Sequence, residues 1–248
     1  MTDDRLLADD DDGLRTITIN RPEVKNALTA AMRTRLCELV EAADADAGVR
    51  VVLLTAVDPV FSAGVDFREV GETGERASAG RNPGKVLRAA TKPVICAVNG
   101  ACVTGGLEIA LSCTFVVASE RARFADTHAR LDVIAGWGLT ALLPRAVGVR
   151  KAAEMSITGN FVDAQEALRL GLVNHVVAHD DLLPFARGLA HDVATTGAVT
   201  ELLDLYQRGD GLPLADALAL EAEVNARRSF DPAAFAAHGR ETAGRGKP

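Results

Sequence analysis

Pro93-Val-Ile-Cys-Ala-Val-Asn-Gly100-Ala-Cys-Val-Thr-Gly105-Gly-Leu-Glu108-Ile-Ala-Leu-Ser-Cys113-Thr-Phe-Val-Val-Ala-Ser119 carries a single charge, that of Glu108. The stretch is apolar enough to suggest a membrane span. Asn99, Gly100, Thr104, Gly105 and Gly106 break it well short of the roughly 18 uninterrupted residues a span needs. It reads instead as a buried strand over Val94 to Val98, a glycine turn, a buried helix over Leu107 to Cys113 and a further strand over Phe115 to Ala118. Val49 to Thr55 is another continuous apolar run, typical of a strand covered on both faces. Leu14 to Asn20 alternates with period two, as a half-buried strand does. Thr29 is placed to cap a helix whose Met32, Leu36, Leu39 and Val40 share one face. Strands separated by helices predict parallel, right-handed βαβ connections, hence an α/β fold.

Outward from this core the pattern changes. Gly71 to Gly84 has four glycines in 14 residues and no apolar anchor, so a mobile loop or frayed helix, a candidate lid, is expected. From Leu139 onward the spacing is helical, apart from a short strand-like Asn174 to Val177. Asp181 to Val193, Val199 to Tyr206 and Leu214 to Arg227 all recur at helical spacing, and no internal repeat is evident. The expected organisation is an acidic, disordered segment over residues 1–12, a core over 13–190 and a helical region over 191–248.

Composition excludes several function classes. The 248 residues hold 27 Lys+Arg against 34 Asp+Glu, a net charge of -7, which disfavours nucleic acid and anionic membranes as partners. Asp3, Asp4 and Asp9 to Asp12 form a solvated acidic start, with no basic region or apolar segment of the kind a secretory leader needs. Cys37, Cys96, Cys102 and Cys113 show no metal or redox spacing and read as reduced core thiols of a cytoplasmic protein. His175, His179, His191 and His238 have no second ligand at metal spacing.

Two segments place a glycine at the end of a buried strand. In Phe61-Ser-Ala-Gly-Val-Asp66-Phe67 small residues allow a sharp turn that leaves the Val65 amide pointing outward. Asn99 to Glu108 opens a helix at Gly105, where free amides and the positive end of the helix dipole coincide. Two such amides converging from separate turns would form an oxyanion hole.

Taken together these pieces resemble the enoyl-CoA hydratase/isomerase (crotonase) family from about Leu14 to Val177. The matching residues are Asn20-Arg-Pro-Glu with Lys25-Asn-Ala-Leu28, Phe61 to Asp66, Lys92 to Gly100, Gly105-Gly-Leu-Glu-Ile-Ala-Leu111, and Thr158-Gly159 through Ala167 to Gly171-Leu-Val-Asn174. The resemblance implies a spiral of ββα turns, a C-terminal helical trimerisation region, a homotrimer or hexamer, and a CoA thioester as ligand, with no metal or other cofactor. It places the oxyanion-hole amides on Val65 and Gly105. Substrate or CoA contacts fall on Val24, Lys25, Ala27, Ala63, Gly64, Asp66, Phe67, Gly106, Thr127, Gly136 and Trp137.

A hydratase of this family sets two glutamates around one water. The first falls on Glu108; the second position is His128, the main departure from the pattern. An imidazole suits proton transfer at neutral pH, so His128 could take one role, with slow hydration as the expectation, or line a pocket whose chemistry has changed. Asp126 would share its side if Arg123 to His128 is extended, but an ion pair with Arg123 or Arg130 is the plainer expectation. A carboxylate is missing at position 128 for Δ3,Δ2-enoyl-CoA isomerisation, and Gly136 stands where dienoyl-CoA isomerases and aryl-CoA dehalogenases carry an aspartate. Ala135 replaces a common proline, and Trp137 either walls an acyl pocket or simply packs. The tail lacks the family's Lys-Arg ending, for which Arg227 or Arg228 is the candidate substitute. The implied activity is hydration of trans-2-enoyl-CoA to 3-hydroxyacyl-CoA in fatty acid metabolism; the alternative is a non-catalytic acyl-CoA-binding protein or an enoyl-CoA isomerase-like relative with altered acid/base chemistry.

Overall fold

The computed structural model describes residues 4–74 and 79–245. The chain divides into two compact units at Thr200/Glu201. In chain order the first contains β1 (Leu6–Asp11), β2 (Leu14–Ile19), α1 (Ala30–Ala45), β3 (Val51–Ala56), β4 (Val60–Ser62), α2 (Phe67–Thr73), α3 (Pro83–Ala89), β5 (Val94–Val98), β6 (Ala101–Val103) and α4 (Gly105–Leu111). Next come β7 (Phe115–Ser119), β8 (Arg123–Ala125), α5 (Leu139–Val147), α6 (Val149–Thr158), β9 (Val162–Asp163), α7 (Ala164–Leu170), β10 (His175–Val177) and α8 (Leu182–Ala194). Helix α9 (Val199–Gly209) crosses the junction, and the second unit continues with α10 (Leu214–Arg227) and α11 (Pro232–Arg245).

The long strands form one sheet in the order β1-β2-β3-β5-β7-β10, parallel from β2 onward. The short strands form a second, β4-β6-β8-β9, in which β4, β6 and β8 run parallel. Successive turns of chain therefore give one strand to each sheet and then a helix, which is the expected ββα spiral. Alternation along the long strands sorts their side chains between two layers. Ile17, Ile19, Val52, Leu54, Cys96 and Val98 join Met32, Leu36, Leu39, Val40 and Ala43 of α1 in one cluster. Leu14, Val51, Leu53, Ile95, Ala97 and Val117 pack on Leu182, Ala186 and Ala190 of α8 in the other. The α1 cap is as expected, Thr29 Oγ1 accepting from the Met32 amide at 3.2 Å. The four cysteines are free, Cys37, Cys96 and Cys102 buried and Cys113 half-buried.

Two expectations need correction. Residues 6–11 are not disordered, because Leu6–Asp11 pairs antiparallel with all of β2. Asp12 and Gly13, at φ 43° and 82°, make the tight turn, Leu6 is buried, and the strand's five other side chains face solvent, where carboxylates cost little. The boundary at 190/191 falls inside α8, whose apolar face belongs to the core. The Gly71 to Gly84 segment is helical at both flanks, with Asp66 capping α2 and Asn82 capping α3 through side-chain acceptors; its residues 75–78 lie outside the described residues. In the second unit, α10 buries no side chain, and Tyr206, Leu214, Leu218, Phe230 and Phe235 are all more than half exposed.

Candidate active site

The second sheet exists to end in turns. β4 and β6 are neighbours, and the chain leaves each through a glycine. After β4, Gly64 takes φ +90°, and a single bridge between Leu28 and Val65 sets the direction of the chain beyond it. Leu28 donates to Gly64 O at 2.8 Å and accepts from the Asp66 amide at 3.0 Å, so the Val65 N–H between them points away from the bridge. After β6, Thr104 sits at φ 54° and ψ -113°, a conformation a β-branched residue rarely adopts. Its amide donates to Ala125 O and its hydroxyl shares a 2.6 Å hydrogen bond with Thr127, which hold the strained turn. Gly105 then opens α4 with its N–H ahead of the first helical acceptor. Among the described residues neither the Val65 nor the Gly105 amide has a hydrogen-bond acceptor. The turns touch: a Cβ on Gly64 would lie 2.9 Å from the Gly105 nitrogen.

Glu108 stands one helical turn after Gly105, on the same face, and is 2% exposed. Its Oε1 accepts from the amides of Trp137 at 2.6 Å and Leu139 at 3.3 Å, which fixes the carboxyl plane. Its Oε2 lies 3.6 Å from His128 Nε2. That gap exceeds a direct hydrogen bond, yet a water about 2.8 Å from each atom would touch both. Burial raises the Glu108 pKa above the ordinary 4.5, outweighing the two amides and the His128 charge that pull it down. The sequence thus brings Glu108 and His128 together as expected.

Asp126 departs from its expectation. β8 ends at Ala125 and His128 has helical φ/ψ, so the segment is a turn and not an extended strand. Asp126 Oδ1 accepts from the His128 amide at 3.1 Å and lies 2.6 Å from His128 Nδ1. Among the described residues it forms no ion pair with an arginine; Arg130 donates to Thr158 O and Asn160. Burial would raise the Asp126 pKa, but hydrogen bonds from His128 and Ser156 hold it below the ordinary value.

The remaining expected contacts split into two groups. Val24, Lys25 and Ala27 run beside Ala63 and Gly64, joined where the Ala63 amide donates to Lys25 O at 3.0 Å. Lys25 and Phe67 are exposed there, Phe67 at 54%. Asp66 is committed to the fold: it accepts from Arg21 Nη1 at 2.5 Å and from the Arg68 amide at 2.9 Å. Burial opposes these donors, yet they hold its pKa below the ordinary value. Gly106 packs on β4, where a Cβ would fall 2.6 Å from Ser62 O. Gly136 is exposed and its carbonyl accepts from Asn82.

Trp137 is buried, its ring edge against Gly105, with Arg33 stacked 5.6 Å from the ring centroid and Arg88 donating to its carbonyl. Arg21, Arg33 and Arg88 were not singled out from sequence; for Arg21 the available signal was its place beside Pro22 and Glu23. Arg227 and Arg228 are each paired with a glutamate, Glu223 and Glu201. Among the described residues no group of three or more His, Cys, Asp or Glu is arranged to hold a metal ion, and no helix is long and apolar enough to cross a membrane.

The ββα spiral thus brings two touching glycine turns, each with an amide that has no acceptor among the described residues, to the start of the helix that carries a buried carboxylate. Comparison with known proteins agrees. The family model described as "Enoyl-CoA hydratase/isomerase" matches residues 9–229. A relative from Arabidopsis thaliana, "Probable enoyl-CoA hydratase 1, peroxisomal", is 38% identical over 85% of this chain and 81% of its own. "Crotonyl-CoA hydratase" of Syntrophomonas wolfei is 31% identical over 90% and 89%. The crystal structure of an enoyl-CoA hydratase from Mycobacterium tuberculosis H37Rv matches with TM-score 0.77 and 47% identity, covering 90% of this chain and 97% of that one. The chain belongs to the enoyl-CoA hydratase/isomerase family.

Proposed function

We propose that this protein is an enoyl-CoA hydratase, adding water across the C2=C3 bond of a trans-2-enoyl-CoA to give the 3-hydroxyacyl-CoA. The Val65 and Gly105 amides donate to the thioester oxygen as it gains charge. Glu108 Oε2 takes a proton from water while the water oxygen bonds to C3. The π electrons move to C2 and into the enolate, and His128 Nε2 delivers a proton to C2. The carboxyl then holds one proton more and the imidazole one fewer, and the next water between them returns the proton. The observation that carries the reading is the Glu108–His128 pair, 3.6 Å apart, with Glu108 on the helix that Gly105 opens and His128 in the turn after β8. A raised Glu108 pKa suits a group that must both take and return a proton near neutrality.

A trans-2-enoyl-CoA substrate supports a role in fatty acid β-oxidation. The exposed apolar side chains of the second unit support a homotrimer or hexamer, and the four free cysteines support a cytoplasmic location. The test is hydration of crotonyl-CoA and of a C8–C10 enoyl-CoA by wild type and Glu108→Gln, followed by loss of the enoyl absorbance. Turnover should fall on the order of 10²- to 10⁴-fold in the variant with thioester affinity retained. Unchanged turnover would remove Glu108 from its role, and tight binding without turnover in the wild type would make the protein an acyl-CoA binder.

A further inference from the structure

We propose that Asp126 is a positioning residue for His128: its carboxylate holds the Nδ1 proton, so that Nε2 is presented to the water shared with Glu108. The inference rests on the hydration reading above. It begins with chain geometry. β8 lies beside β6, with Val103 opposite Ala125, and the Thr104 amide donates to Ala125 O. Asp126 is therefore the first residue past the strand that flanks the oxyanion turn. Its Oδ1 receives two bonds from a single residue, the His128 amide at 3.1 Å and the imidazole at 2.6 Å. The amide bond fixes the backbone of His128 and the imidazole bond fixes its ring, so one oxygen sets both. Ser156, on α6, is a second partner of the carboxylate, which is 4% exposed.

An imidazole with one nitrogen bonded to an ionised carboxylate carries its proton on that nitrogen when neutral. Nε2 then faces Glu108 Oε2, and neither atom can donate to the other unless the pair takes up one proton. With Nδ1 bonded to Asp126, Nε2 is the nitrogen left to pass a proton to C2, opposite Glu108 Oε2, which takes one from water. Without Asp126 the ring could take either tautomer and either face. Of the charged groups around the ring, Glu108 from α4 faces Nε2 and Asp126 faces Nδ1, while Arg130 on the same turn is directed to Thr158 and Asn160.

A merely structural aspartate would serve only the turn, and Asp126→Asn tests the difference because its amide oxygen can still accept from the His128 amide while the carboxylate charge that holds the Nδ1 proton is gone. Crotonyl-CoA hydration by full-length wild type, Asp126→Asn, His128→Gln and the double variant should be compared from pH 5 to 9. Asp126→Asn should lower kcat on the order of 10²- to 10⁴-fold. KM should stay within about threefold, so that the loss falls on kcat. The double variant should be no slower than His128→Gln alone. Wild-type kcat in Asp126→Asn with His128→Gln inactive overturns this inference and leaves the hydration reading standing. Wild-type kcat in His128→Gln overturns both. If Asp126→Asn does not fold, ¹⁵N imidazole shifts of wild-type protein decide: a neutral ring protonated at Nδ1 is expected, and one protonated at Nε2 refutes the proposal.

Discussion

Replacing Gly64 by alanine tests the oxyanion turn directly. At φ +90° an alanine is strained by about 1–2 kcal/mol. Its Cβ would fall 2.9 Å from the Gly105 nitrogen and 3.2 Å from Val103 O, so the turns must part by about 0.5 Å to restore ordinary contact. Overpacking of this kind costs about 1–3 kcal/mol, and the stiffer unfolded chain returns about 0.4–1 kcal/mol. The net loss is about 2–4 kcal/mol, or roughly 4–16 °C in Tm for a chain of this size. The functional effect is separate, because half an ångström is the whole tolerance of a preorganised donor. Loss of one amide should lower kcat on the order of 10²- to 10³-fold. Gly148→Ala supplies the control: φ is +79°, nothing lies within 4 Å of the added carbon, and the residue joins α5 to α6. It carries the strain without the contact and should keep full turnover. Melting curves by circular dichroism, and crotonyl-CoA hydration assayed below the lower Tm, decide the matter. A folded Gly64→Ala protein with kcat within about threefold of wild type refutes the argument, as does a Gly148→Ala protein equally impaired.

Two further outcomes concern buried carboxylates of opposite behaviour. Glu108 has a raised folded pKa, so the folded state holds its proton more tightly than the unfolded chain, and the stability tied to that proton is lost as pH rises through the folded value. Glu108→Gln should therefore melt higher than wild type at pH 8 and lose that advantage below about pH 4.5; equal melting at both pH values would contradict it. Asp66 has a lowered folded pKa, so its contribution is present above the ordinary carboxylate range and lost as pH falls through the folded value. Arg21→Ala leaves that carboxylate buried with its amide partner only, which should cost up to about 3–5 kcal/mol at pH 7. The deficit should shrink in acid, and urea titrations at pH 7 and pH 3 that give the same deficit would rule this out.

The parts of the fold legible in the sequence were those with long, uninterrupted signals. β3 and β5 are buried along their whole length, and a run such as Val-Ile-Cys-Ala-Val leaves few other readings. The second sheet was not legible, because its strands are two or three residues long and no periodicity can register in so few. β1 was misread through its composition. Aspartate is a poor strand former, but an edge strand with solvent-facing side chains is held by its backbone ladder, and the Asp12-Gly13 turn signal was present in the chain. Asp126 was misread as an ion-pair partner of Arg123 or Arg130: sequence distance gives no sign that the chain turns after β8, and that turn bonds Asp126 to His128 instead.

The misreadings and the chemistry meet at one place for a physical reason. Local preference fails at Thr104, a β-branched residue at positive φ, at Glu108, a carboxylate 2% exposed, and at Gly64, whose conformation excludes a side chain. Each would be selected against in an ordinary core, and each is held here by something rigid. Thr104 lies between β6 and a helix whose Leu107 and Ile109 are fully buried. Glu108 is held by two amides leading into α5, and Gly64 by the Leu28 bridge. Other non-glycine residues at positive φ, Asp12, Lys25, Asn26 and Asp132, lie in turns, whereas Thr104 leads directly into the helix that carries Glu108. Such a site can exchange a glutamate for a histidine at position 128 without refolding, because the scaffold constrains backbone direction there while the identity of the acid is left to the side chain and to the aspartate that orients it.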